Sequence, residues 1–199
     1  MRAKARRAKA RENANKNQIE RRAPYGLLES FPNVTHAKAS IEFSTDVTEL
    51  QKCVASAFRG LNSKTLESQI SVAGRPGPVP GYTAFEAGVG DGDCFNFLDE
   101  KELKRLLSHI ESGQPVRTLD FFLIVKYLQK DGTKSPIRFD RYLIRLSFAH
   151  QELDVKVFHE KGLRRMNPDE VVTLLIDDVN LELTKSGKPG LRIISLRSA

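Results

Sequence analysis

Three successive stretches, 118–128, 137–148 and 153–159, place apolar side chains at every second position. A period of two is the signature of extended strands, and the short breaks between the stretches predict an antiparallel meander. A tight turn over 149–152 sets the second pair of strands so that Leu143 faces Phe158 and Ser147 faces Asp154. One face then carries Leu119, Phe121, Leu123, Val125 and Tyr127, followed by Tyr142, Ile144, Leu146 and Phe148, then Leu153, Val155, Val157 and His159. Such a continuous apolar set is read as core.

The opposite face is mixed. Its expected rows are Asp120, Ser147, Asp154; Phe122, Arg145, Lys156; Ile124, Leu143, Phe158; and Lys126, Arg141, Glu160. An apolar centre with charged margins predicts that this face is covered too, by the same chain or by a protein partner.

Helix boundaries are written around the meander. Asp46 with Glu49 three residues on, then Val47, Leu50, Val54, Ala57, Phe58 and Leu61, predicts a helix ending near Gly60–Asn62. Asp99 with Glu102, and Leu98 placed to pack against Leu103, predicts a second with a stripe of Leu103, Leu106, Leu107 and Ile110, stopped at Gly113. Asn167, Pro168 and Glu170 start a third, expected to reach about Asp177. Further strands are read at 39–44, 69–73, 82–88 and 94–97, a loop at 74–81, and a closing hairpin from 179–184 and 192–196. The expectation is α+β: a single domain over 36–199 with a largely antiparallel sheet and about three helices, preceded by a disordered basic arm and linker over 1–35.

Charge is distributed unevenly. Residues 1–25 hold nine cations, Arg2, Lys4, Arg6, Arg7, Lys9, Arg11, Lys16, Arg21 and Arg22, against Glu12 and Glu20, while 26–199 hold twenty-three cations and twenty-three acids. The whole net charge of +7 therefore lies in the arm. The pentad Arg-Ala-Lys-Ala-Arg occurs at 2–6 and again at 7–11, and Ala alone gives it no apolar face to bury. Such a segment suits phosphate-backbone contacts, and with no aromatic residue before Tyr25 it offers no base stacking. A solubilising tail or an address signal is the competing reading.

Two cysteines, Cys53 and Cys94, cannot form a disulfide framework, and Cys53 falls within a helical pattern as a buried thiol. With no secretory apolar stretch and no spanning run, an intracellular location, cytoplasmic or nuclear/nucleoid, is expected, without a membrane. No cofactor or metal is expected either. His36, His109, His150 and His159 lack paired metal spacing, and Gly88–Asp93 reads as a turn on Asp91-Gly92, since its aspartates repel phosphate and Cys94, Phe95 and Phe97 do not continue a calcium loop.

Two features bear on chemistry. Lys161, Arg164 and Arg165 precede the third helix, where free backbone N–H groups and three cations suit an anion, although Asp169 and Glu170 already supply negative charge. Asp154-Val155-Lys156 on a strand, within a helix, three-strand, helix, strand order, resembles the restriction-endonuclease-like nucleases. That resemblance implies acids holding a divalent metal beside a water-polarising lysine. Asp140 lies seven residues along from the partner of Asp154, too far to join it, and Asp120 lies one strand away, so salt bridging among Asp120, Arg145, Asp154 and Lys156 is the expectation. The functional expectation is a non-enzymatic nucleic-acid-associated binding or adaptor protein. Its arm contacts DNA or RNA phosphates, and the mixed face or the 161–165 loop supplies a second contact. The alternatives are a metal-dependent nuclease and a protein-interaction module.

Overall fold

The computed structural model describes residues 24–71, 77–113, 116–130 and 138–198. Eight strands are formed: β1 (Ala37–Glu42), β2 (Thr65–Ser71), β3 (Pro78–Asp91), β4 (Cys94–Phe97), β5 (Thr118–Gln129), β6 (Arg138–Ala149), β7 (Glu152–Lys161) and β8 (Arg192–Ser198). The helices are α1 (Val47–Leu61), α2 (Glu100–Ile110) and α3 (Pro168–Lys185). The strands make one sheet in the order β2-β3-β5-β6-β7-β1-β8, with β4 on β3, and every strand pairing is antiparallel. The α+β class follows as expected.

Each helix begins where a polar side chain can cap it. Asp46 Oδ1 accepts from the Thr48 and Glu49 N–H groups at 2.9 and 3.3 Å. Glu49 turns outward to Lys52 rather than back to the cap. Asp99 Oδ1 accepts from Glu102 N at 2.8 Å, with Leu98 fully buried at the entry. At the third, Glu170 Oε2 accepts from Asn167 N at 2.6 Å and Pro168 occupies the first turn, where no N–H is needed.

All thirteen residues assigned to the meander's first face lie inward, and twelve are buried, with His159 half-buried at the end. The helices cover this face. Phe58 of α1 stacks on Phe121 of β5 at 3.9 Å between ring centroids, and Val171, Val172, Leu175, Ile176, Val179 and Leu183 of α3 join the same core.

Several expectations are corrected. The closing hairpin does not form: 179–184 continue α3 to Lys185, because Val179 and Leu183 extend the stripe begun at Val171, and β8 pairs with β1 instead. Pro78–Gly81, read as loop, open β3 along β2, at a point where β5 joins only from Gly81 and proline's missing N–H costs no ladder bond on that side. β1 begins at Ala37 and β2 at Thr65, earlier than expected. β6 and β7 pair as read from Tyr142 to Ala149, while a bulge before Tyr142 sets Arg141 opposite Lys161 and not Glu160. β5 and β6 are displaced by two residues, so that Asp120 faces Arg145 and not Ser147. A slip of two keeps every side chain on its face while changing its partner.

Residues 25–35, read as linker, are also placed against the sheet. β3 and β5 are paired up to Ala87–Leu123. Beyond that point the chain at 26–29 lies between them: Gly26 N donates to Gly90 O (2.9 Å), Asp120 N to Gly26 O (2.7 Å), Gly92 N to Leu27 O (3.0 Å) and Glu29 N to Gly92 O (2.8 Å). Ladder groups at Gly90 and Asp120 would otherwise be left without partners.

Candidate nucleic-acid interface

The chain enters the described body at Pro24. Arg2, Lys4, Arg6, Arg7, Lys9, Arg11, Lys16, Arg21 and Arg22 lie outside the described residues. Downstream, Tyr25 is half-buried beside α2. Its hydroxyl donates to Glu102 Oε1 at 2.7 Å, the Arg105 guanidinium lies 4.0 Å from its ring, and burial together with the neighbouring carboxylate pushes the phenol well above its ordinary value.

From Leu28 to His36 the chain crosses the outer face of the meander. Leu28 and Phe31 pack on Leu143, with Phe95, Phe122 and Phe158 around them, and His36 stacks on Phe158 at 4.8 Å. Part of the expected cover for the second face is thus the chain's own entry segment. A clasp holds it. Arg145 Nε and Nη2 each donate to Asp120, at 2.7 Å to Oδ1 and Oδ2, while Leu28 N donates to Oδ2 at 2.8 Å. The guanidinium also lies 4.2 Å from the Phe31 ring. Beside the crossing, a groove of about 590 Å³ remains open, lined by Leu28, Pro32, Cys94, Phe95, Phe122, Ile124 and Arg141 among others.

The loop that carries Lys161, Arg164 and Arg165 folds over a buried acid. Arg164 N and Arg165 N point at the carboxylate of Asp140, 2.7 Å from Oδ1 and 2.8 Å from Oδ2, and Tyr127 Oη donates to Oδ2 at 2.8 Å. His159 Nε2 stands 3.5 Å from Oδ1. The anion received by this loop is therefore an internal, fully buried side chain. Burial alone would raise the Asp140 carboxyl, yet the hydrogen bonds from Tyr127, the Arg165 and Arg164 N–H groups and His159 pull it below its ordinary value. Gly162, at φ +115°, makes the close passage over Asp140 that a side chain would block. The Lys161 ammonium lies 5.8 Å from the Phe139 ring, and the Arg165 guanidinium 5.5 Å from Tyr127, beside a pocket of about 520 Å³ that also meets Ser68, Thr83 and Glu170.

The acid and lysine pattern of the nuclease resemblance is not brought together. Asp120 shares a row with Lys156 rather than with Asp154, and Arg145 lies between them. Asp140 lies at the far end of the sheet in its own cage. Among the described residues no group of three or more His, Cys, Asp or Glu is arranged to hold a metal ion. The Gly-Asp-Gly-Asp segment forms the expected β3–β4 turn, with Asp91 opposite Cys94. Cys53 is buried and Cys94 exposed, both free, and no helix among the described residues is long and apolar enough to cross a membrane.

Several of the body's described cations are held by carboxylates. Lys52 meets Glu49 and Glu111, Arg59 meets Glu100, Lys64 meets Asp178, Arg105 meets Asp91 and Glu102, Arg141 meets Glu160, and Arg192 meets Glu42. Sequence reasoning missed two exposed cations, Lys38 and Arg197, that the topology brings onto the row of Arg145 and Lys156. They are 159 residues apart in sequence and meet only through β1, so strand order alone could have revealed them.

The chain matches no protein-family model, no curated protein and no solved structure.

Proposed function

We propose that this chain is a non-enzymatic nucleic-acid-associated protein whose first 25 residues supply phosphate-backbone contacts and whose folded body is the platform that presents them. One observation carries the reading: the net charge of +7 lies in residues 1–25, while the remainder balances. The ion pairs of the body support it, since cations held by neighbouring carboxylates have little left to offer a polyanion. Lys161, Arg164 and Arg165 are a lesser part of this reading, because the backbone of their loop is committed to Asp140.

The test is a salt titration of the full-length protein and of a full-length variant with the nine arm cations replaced by Gln. If about five to seven arm cations meet phosphates, log affinity for duplex DNA falls against log salt with a slope of roughly −4.5 to −6. Neutralising the arm should flatten that slope severely. Sequence should matter little, since backbone contacts position without specifying. Equal slopes for the two proteins would make the segment a tail or an address signal.

A further inference from the structure

On the outer face of the sheet, Arg145 of β6 stands directly opposite Lys156 of β7, Lys156 opposite Lys38 of β1, and Lys38 opposite Arg197 of β8. Four cations thus occupy one row across four adjacent strands. Like charges in directly opposed positions repel and weaken a sheet. Only the first is neutralised, by the buried Asp120. Lys38 has a single distant carboxylate, Asp154 at 3.9 Å, and Lys156 and Arg197 make no ion pair among the described residues. Lys64, Lys52 and Arg105 are each held by a carboxylate at 2.5 to 3.2 Å, whereas this row sets three neighbouring cations side by side without such a pair.

We infer that Lys38, Lys156 and Arg197 form a second phosphate track for a nucleic-acid backbone, on the folded body and separate from the arm. Strand spacing sets the cations at steps of about 4.8 Å, so the three cover about 10 Å in a line, a spacing suited to neighbouring phosphates. One side of the row is walled by the crossing segment at Phe31 and His36. On the other side lie Ser147, Asp154, Ser40 and Ser195, small and polar. The track therefore offers charge and hydroxyls, and the apolar Ile194 stands exposed at the β8 bulge beside Ser40 and Ser195. Ile193 and Leu196 of β8, though exposed, sit opposite the buried Ile41 and Ala39 and so belong to the other face. One aliphatic side chain at the rim is little to anchor in a bilayer, so the track suits a hydrated phosphodiester rather than an anionic membrane.

This inference rests on the proposed nucleic-acid reading, and its test separates the two. A fluorescein-labelled single strand and its duplex are titrated against four full-length proteins: wild type, the arm-neutralised chain, Lys156→Glu, and the double variant Lys38→Thr/Arg197→Thr. The arm-neutralised chain should retain weak binding with a salt slope of roughly −2 to −3. Lys156→Glu should reduce wild-type affinity several-fold and flatten its slope by about one to two, and the double variant by about two. Lys156→Glu should also melt higher than wild type, because a carboxylate between Arg145 and Lys38 turns repulsion into attraction. Loss of binding in that variant thus cannot come from unfolding.

If both track variants bind like wild type while the arm-neutralised chain does not bind at all, the track is refuted and the arm reading stands. Absence of binding by wild type overturns both. Binding of the arm-neutralised chain to phosphatidylserine vesicles, with none to either oligonucleotide, would assign the row to a membrane and overturn the inference.

Discussion

Asp120 and Arg145 face each other across β5 and β6 in a two-pronged ion pair, and the same carboxylate accepts the N–H of Leu28. One buried acid therefore ties two strands and the entry segment together. Removing only the cation leaves a fully buried carboxylate with a single backbone donor, a loss of about 3–5 kcal/mol. Arg145→Leu should lower stability by that order in urea unfolding and expose the chain at 25–31 to limited proteolysis. Asp120→Leu in the same chain should recover part of the loss, since an apolar pair leaves no stranded charge. A double variant no more stable than Arg145→Leu would show that the clasp acts through something other than charge.

That pair shows where sequence reading stops. Alternation at 118–159 settled which side chains face the core, because a face depends only on parity. It could not settle which residue lies opposite which, since a slip of two preserves parity, and Asp120 was matched to Ser147. Asp46, Asp99 and Asn167 marked the helix starts because a cap is a local hydrogen bond. The end of α3 had no comparably local mark. Residues 25–31 carry no period, and their fit between Gly90 and Asp120 exists only once β3 and β5 have diverged. The excess positive charge of residues 1–25 is a matter of composition alone and needs no fold to be read.

Asn62 is a second long-range tie that carries no sequence signal. Its amide accepts from Ala87 N at 2.5 Å and donates to Leu98 O at 2.7 Å, so a side chain at the end of α1 completes the ladder at the open end of the β3–β4 hairpin. Asn62→Ala strands a buried N–H and a carbonyl and should cost about 1–3 kcal/mol. Asn62→Asp keeps the acceptor for Ala87 N but sets a carboxylate oxygen against the Leu98 carbonyl, so it should cost at least as much. A neutral effect of Asn62→Ala on the unfolding midpoint would mean that water replaces the side chain.

Gly162 should tolerate no side chain. Its φ of +115° disfavours any other residue, and an added Cβ would collide with Asp140 Oδ1 and the Phe139 carbonyl. Gly162→Ala must therefore shift the loop that delivers Arg164 N and Arg165 N to the buried carboxylate. The expected loss is about 1–3 kcal/mol from the backbone conformation, plus the weakened hydrogen bonds. Gly113→Ala is the control: φ there is +79°, but its Cβ would meet nothing within 4 Å, so the loss should be confined to backbone strain. Equal losses at the two positions would argue that the contact with Asp140 is immaterial.

Asp140 and His36 should give acid unfolding two separable steps. His36 is held below its ordinary value of 6.5, first by burial and then by the charges of Arg164 and His159 that face it. Its Nδ1 accepts from His159 N at 2.9 Å while its ring stacks on Phe158, and protonation at Nδ1 would remove that acceptor. A depressed histidine contributes stability above its unfolded value, and the contribution is lost as pH falls through the folded one. The Asp140 carboxyl is also depressed, from 3.8, so its contribution persists above the unfolded carboxylate value and disappears only at more acidic pH. Stability measured by urea unfolding should therefore fall first below about pH 6.5 and again in the carboxylate range. His36→Asn keeps an acceptor near His159 N and removes the titration, so it should flatten the first fall and leave the second. Asp140→Asn should lower stability at neutral pH and flatten the second fall alone. A His36→Asn profile superimposable on that of wild type would show that the imidazole does not titrate differently in the folded and unfolded chain.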